Sequence, residues 1–239
     1  MNTIIKTGLA AILLLAISCT KENNTIQSSR ITDGSSTAEL ITDLTLGKYA
    51  SVKIGTQKWM ATNLAVTRYR NGDKIPQVKG KAAWAALTTG AWCWYNNDSA
   101  TGAVYGRLYN WYAVNDPRGL APAGWHVPSG AEWDTLTTHL GGNAIAGGKL
   151  KDTGTIEAGT DLWYAPNIGA NNRSGFTALP GGERWHISFD ALGKRGSWWS
   201  STDLSTDNAS IFGLGYGYRL AFHSAATKLE GLSVRCIKD

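Results

Sequence analysis

Two short stretches late in the chain carry residue types that recognise ligands: Arg184-Trp185-His186 and Tyr216-Gly217-Tyr218-Arg219. Flat aromatic rings suit sugar faces, and aromatic rings beside arginine are what interface hot spots favour. The same residues placed in strands would instead pack a sheet. Other chemistries find less support. Zinc- or copper-type centres need clustered imidazole or thiolate ligands, and His126, His139, His186 and His223 are dispersed. A Gly-x-Ser-x-Gly nucleophile elbow is absent from the sequence. The chain reads as a binding protein rather than an enzyme, with no metal or cofactor.

Charge narrows the partners. The formal net charge is +5, and the nearest thing to a basic cluster is Lys74, Lys79 and Lys81. Nucleic-acid binding wants a concentrated basic face, so nucleic acid is not an expected partner.

The elements that must position these residues begin after an export signal. Lys6 precedes a purely apolar run, Gly8 to Ile17. That run is short of the roughly 20 residues a membrane span needs. It fits the h-region of a signal peptide. It ends at Ser18-Cys19, which looks like a bacterial lipoprotein cleavage site. The expectation is a signal over 1–18 and lipidation of Cys19; the alternative is ordinary cleavage with Cys19 incidental. Each buried acyl CH₂ contributes about 0.8 kcal/mol, so a multiply acylated Cys19 would hold the protein to a membrane. The expected address is therefore export, to the outer membrane or cell surface.

Residues 20–47 are rich in Ser, Thr, Asn and Asp and hold no aromatic residue. Such a segment buries too little apolar surface to offset its chain entropy, so 19–47 reads as a flexible tether. All eleven Trp lie between Trp59 and Trp199, which sets one folded domain over 48–239. Its two cysteines are Cys93 and Cys236. An oxidising compartment permits a disulfide between them; two buried thiols are the alternative.

Residues 49–66 alternate and break at Gly55, as an opening hairpin does. Residues 82–87 suit one helical turn and 91–95 a strand. Tyr105, Leu108, Tyr109 and Tyr112 recur at helical spacing. Ser129 and Glu132 form a capping box for a second helix, whose apolar stripe is Trp133, Leu136 and Leu140. Glu132 therefore serves as a structural cap with Ser129 rather than as a general acid. Gly141 supplies the stop. Beyond it, 176–179, 197–201, 209–214 and 233–237 suit short strands between long loops. The expected class is α+β, with two early helices, short strands and much loop.

Eight blocks in order carry a resemblance to a known family. They run from IGTQKWMATNL at Ile54 through YGRLYNWYAV at Tyr105, GWHVPSGAEWDTL at Gly124 and SGFTALPGGER at Ser174 to SVRCIKD at Ser233. Together they resemble the Fibrobacter succinogenes major paralogous domain family over nearly all of 48–239. Members of that family are typically exported or lipid-anchored proteins of Bacteroidota and Fibrobacteres, with no defined activity established for the family. A more distant similarity is to the C-type lectin-like, sulfatase-modifying-factor-like fold of formylglycine-generating enzymes. It rests on the order of His126 to Trp133 and Ser233 to Cys236. Family members often carry a Cys where this chain has Ala121, which leaves the partner of Cys236 open. The oxidase chemistry would need a late reactive Cys pair, and 212–226 holds none. Ala165-Pro166-Asn167 and Asn96-Asn97-Asp98 resemble the calcium motifs of sugar-binding lectins only loosely and read better as turns.

The resemblance implies fold, and fold does not fix function; with the tether before Lys48, the expectation is a lipid-anchored envelope binding module whose late loops, 181–223, present a surface to a polysaccharide or an envelope protein. A structural or assembly role in the envelope, without a small ligand, is the alternative.

Overall fold

The structure is a computed structural model that describes residues 39–43 and 47–239. The signal, Cys19 and most of the expected tether lie outside the described residues. The first half contains β1 (Glu39–Asp43), β2 (Gly47–Ile54), β3 (Gln57–Met60), α1 (Lys81–Ala85), β4 (Trp92–Cys93) and α2 (Ser99–Tyr105). It continues with β5 (Leu108–Tyr109), α3 (Trp111–Val114), β6 (Trp125–His126), α4 (Gly130–His139) and α5 (Asn143–Leu150). The second half holds β7 (Gly181–Arg184), β8 (Phe189–Leu192), β9 (Arg195–Asp203), β10 (Asn208–Gly215), β11 (Ala221–Thr227) and β12 (Ile237–Lys238).

The strands form small antiparallel sheets in the orders β1-β2-β3-β12-β6, β11-β10-β9, β4-β5 and β7-β8. Helices and strands are mixed, so the domain is α+β. Strand β12 lies between β3 and β6, with Ile237 opposite both Trp59 and His126. The last strand thus closes the first sheet. Strand β1 falls inside 19–47 and adds a partner for β2 ahead of Lys48.

Local signals account for several elements. Gly55 sits at φ 61° between β2 and β3, the left-handed turn that glycine adopts without strain. The capping box of α4 is complete: Ser129 Oγ accepts from the Glu132 amide, and Glu132 Oε2 accepts from the Ser129 amide at 2.8 Å. The Asn96-Asn97 turn has positive φ at both residues, and Asp98 caps α2.

One expected helix is broken. Tyr105 ends α2, Leu108 and Tyr109 form β5, and Tyr112 belongs to α3. The Tyr109 amide is drawn to the Leu232 carbonyl at 2.9 Å, with the return bond at 3.0 Å. Tertiary pairing there overrides a helical spacing. Residues 176–179 form no strand beyond one bridge, Lys151 to Ala178. Helix α5 was not legible, because its glycines argue against a helix. They serve close approach: a Cβ on Gly147 would sit 2.4 Å from the Leu220 carbonyl oxygen, and one on Gly148 would sit 2.4 Å from that of Gly169.

Two large apolar clusters and a smaller third fill the interior. One centres on Trp133, stacked on Phe212 at 4.2 Å and tilted against Trp59 at 4.6 Å. Burying one Trp removes about 200 Å² from water, or about 5 kcal/mol. Cys236 lies in the cluster that contains Ala121, whereas Cys93 lies in the small cluster with Trp84 and Leu108. The two thiols are free and buried. The disulfide alternative is thereby corrected: the two sulfurs belong to different packing clusters.

Buried cations hold the loops together by binding main-chain carbonyls, which must find donors once buried. Arg235 is fully buried, donates to the Met60 and Phe176 carbonyls and to Asn63 Oδ1, and lies over the Phe176 ring. Asn63 Oδ1 also accepts from the Trp198 indole at 2.8 Å. Four distant segments meet at this one hub.

Candidate ligand-binding site

The first candidate stretch forms the tip of the β7–β8 hairpin. The Trp185 amide donates to the Ser188 carbonyl at 2.8 Å and closes the turn. Side chains alternate across a strand, so Glu183 and Asp190 share one face and Arg184 and Phe189 the other. This alternation separates Arg184 from its neighbours. Its guanidinium is buried, donates to the carbonyls of Val78, Lys79 and Gly80, and stacks on Trp84 at 4.2 Å. Arg184 is therefore a loop clamp, which corrects its expected place among ligand contacts.

Trp185 remains available. It is 49% exposed, and neighbouring Ile187 is 62% exposed. The indole N–H donates to Glu183 Oε1 at 3.2 Å, which pins the ring while its surface faces solvent. Glu183 itself is buried and receives Arg195 and Ser197 at 3.3 Å each. His186 Nε2 lies 3.0 Å from Thr227 Oγ1. Thr227 in turn gives its amide and its hydroxyl to Glu230 Oε1, at 3.0 and 3.3 Å. Burial pushes the Glu230 carboxyl up from its ordinary value; the Thr227 amide opposes this, and the charge on Glu183 adds to it.

The second candidate stretch is the turn between β10 and β11. Tyr216 exchanges backbone bonds with Lys194 and Ile168. The Tyr218 ring lies edge-on to Phe222 at 6.2 Å. Arg219 is exposed, and its carbonyl accepts from the Gly148 amide of α5. Beneath the turn, fully buried Lys151 donates to the carbonyls of Ile168, Gly215 and Tyr218 at 2.9–3.0 Å. Burial pushes the Lys151 ammonium down to about 8.

The structure does not bring the two stretches together. Tyr216 to Arg219 follow the Leu214–Ala221 end of the β10–β11 ladder, while His186 touches Thr227 at its Asn208–Thr227 end. At about 3.4 Å per residue the ladder separates them by roughly 20 Å. The expected single surface over 181–223 is thus two separate ends. Glu183, Thr227 and Glu230 escaped the sequence reading. Glu183 adjoins a candidate residue, which was a usable signal; Thr227 and Glu230 reach the tip only through the fold.

The remaining expected features are structural. Asn167, with φ 41°, donates to the carbonyls of Asp152 and Gly154 and stitches a loop. His126 bridges Asp239 and Glu132 at 2.7 Å on each ring nitrogen. No set of three His, Cys, Asp or Glu side chains converges on a metal position among the described residues.

Comparison with known proteins adds the lineage of this arrangement. No curated protein and no solved structure matches the chain. The family model described as Fibrobacter succinogenes major domain matches residues 52–238, from β2 to β12. That span includes every residue of both candidate stretches, and the chain belongs to the Fibrobacter succinogenes major domain family.

Proposed function

We propose that this protein is a binding module of the cell envelope, held to the outer membrane or cell surface through a lipidated Cys19. On this reading the domain is a C-type lectin-like scaffold, and the β7–β8 tip contacts a polysaccharide. The observation that carries the proposal is Trp185: a half-exposed indole whose N–H is already bound to Glu183. A pinned ring loses little entropy on meeting a ligand, so stacking contributes fully to affinity. Exposed Ile187 beside it supports a second reading, in which the same tip docks an envelope protein and the module serves assembly.

A glycan array with the purified protein tests the first reading. Trp185→Ala should weaken the bound glycan by at least tenfold, about 1.4 kcal/mol or more. Trp185→Tyr keeps a ring face and should retain most of the affinity. Equal binding by wild type and Trp185→Ala would refute the choice of tip. An empty array together with capture of one envelope protein, lost in Ile187→Ser, would favour the assembly reading.

A further inference from the structure

We propose that the Trp185 tip and the turn holding Tyr218 are the two ends of one elongated site for an acidic polysaccharide, and that Arg195, between them, selects its carboxylate. The proposal rests on the reading of Trp185 as a ligand contact. Its basis is one shared side chain. Glu183 Oε1 accepts from the Trp185 indole at 3.2 Å and from Arg195 Nη1 at 3.3 Å. Glu183 Oε2 accepts from the Ser197 hydroxyl at 3.3 Å. The indole of the tip and the guanidinium of β9 are therefore joined through a single oxygen.

Sheet register carries the surface onward from Arg195. Residues directly opposite in an antiparallel pair have neighbouring side chains on one face. Arg195 is opposite Gly215, Ser197 is opposite Gly213, and Gly213 is opposite Phe222. The two glycines leave that face bare, and aromatic rings take the space. A Cβ on Gly215 would sit 2.4 Å from Tyr218 Cζ, and one on Gly213 would sit 2.2 Å from Phe222 Cζ. Tyr218 and Phe222 meet edge-on at 6.2 Å, and both are only partly buried. The distance between the two candidate stretches is thus spanned by side chains, in the order Trp185, Arg195, then Tyr218 beside Phe222.

An arginine flanked by aromatic rings suits a chain of sugar rings that carries carboxylates. The Arg195 side chain is 44% exposed, whereas that of Glu183 is 5% exposed. Glu183 takes one of the guanidinium donors, and the others have no partner among the described residues. The planar fork can therefore grip a carboxylate through two parallel bonds. The bond to Glu183 already orders the guanidinium, so little entropy is lost on binding. The nearby charges agree. Lys194, Arg195 and Arg219 are exposed at this end of the sheet. The Tyr216 amide bonds the Lys194 carbonyl and holds the two turns together. Of the two acids on the facing side of the hairpin, Asp190 is exposed and Glu183 is buried and already bound.

The test is calorimetric titration of the purified full-length protein with oligogalacturonate, and with the same oligosaccharide after its carboxyl groups are reduced to alcohols. Wild type should bind the acidic form more tightly by about tenfold. Arg195→Lys keeps a cation beside Glu183 but loses the fork. It should lose most of that preference and bind the reduced form as wild type does, with its urea midpoint confirming the fold. Affinity should also rise from the disaccharide to the pentasaccharide in wild type, and Tyr218→Ala should abolish that rise. Equal affinity for both forms in wild type, or an unchanged preference in Arg195→Lys, would overturn the role of Arg195 and leave the tip in place. A rise with length that is absent in wild type, or that survives in Tyr218→Ala, would overturn the elongated site. Polyglutamate binding as tightly as oligogalacturonate would show recognition of charge alone and overturn the polysaccharide assignment. Binding of neither sugar form would overturn the acidic specificity; failure of the tip itself is read separately, from Trp185→Ala on the glycan array.

Discussion

Replacing Trp133 with alanine tests the centre of the fold most directly. Trp133 is fully buried, stacked in parallel on Phe212 at 4.2 Å and set against Trp59 at 4.6 Å, with Phe176 and Trp198 at its edges. Removing about 200 Å² of buried surface costs about 5 kcal/mol by area. Residual compactness of the unfolded chain reduces that to about 3–4 kcal/mol. Each aromatic pair lost adds about 0.5–1.5 kcal/mol. One feature works the other way: the Trp133 indole N–H is buried without a partner. Deleting it relieves a penalty of about 1–3 kcal/mol. With the four pairs to Phe212, Trp59, Phe176 and Trp198, the balance is a loss of about 5–6 kcal/mol, a large share of the stability of an ordinary domain. Trp133→Phe keeps the stack on Phe212 and removes the orphaned N–H, so it should cost under about 1.5 kcal/mol. Urea unfolding of the full-length protein, followed by far-ultraviolet circular dichroism, measures both. A loss below about 1 kcal/mol for alanine, or equal losses for alanine and phenylalanine, would refute this account of the core.

Two further outcomes follow from the same geometry. Burial alone would lower the pKa of His126, but its bonds to Asp239 and Glu132 outweigh burial and raise it above 6.5. Burial alone would raise Glu132, yet the Ser129 amide and His126 hold it below 4.5. A raised histidine stabilises below its unfolded pKa and loses that contribution as pH rises through the folded value; a lowered carboxylate contributes above its unfolded pKa and loses it as pH falls through the folded value. The pair therefore contributes most between pH 4.5 and 6.5, and His126→Gln should lower the urea midpoint most within that window while changing it little above about pH 8. Gly147→Ala sets helix propensity, worth up to about 1 kcal/mol in favour, against backbone contact with the Leu220 carbonyl at 2.4 Å. The contact should win, with a net loss of about 1–3 kcal/mol in the melt, and a stabilised variant would show that α5 is free to move away.

The pattern of what was legible follows the range of the forces involved. Local chemistry is written in neighbouring residues. The turn at Gly55, the capping box of Ser129 and Glu132, and the burial of Trp133 and Leu136 each depend on side chains within one turn or one strand. The strands over 197–201 and 209–214 were visible for the same reason, since they hold Trp198 and Trp199 and the pair Ile211-Phe212. The helical reading of Tyr105 to Tyr112 failed because the Tyr109 backbone bonds with Leu232, more than a hundred residues away. Helix α5 was hidden because Gly147 and Gly148 are required by the backbones of Leu220 and Gly169, not by the helix itself.

The sequence by itself determined that the fold is α+β, that aromatic side chains fill its interior, and that Trp185 and its neighbours form a candidate contact. Only the tertiary structure decided what each of those neighbours does. Strand alternation turned Arg184 inward onto three carbonyls and left Trp185 outward. The length of the β10–β11 ladder set Tyr216, Tyr218 and Arg219 at the far end from His186. The packing of segments far apart in sequence placed Thr227 and Glu230 beneath the tip. A residue's type limits the chemistry it can perform; whether a guanidinium meets a ligand or a carbonyl is set by which distant backbone is buried against it, and a single local stretch of sequence does not encode that.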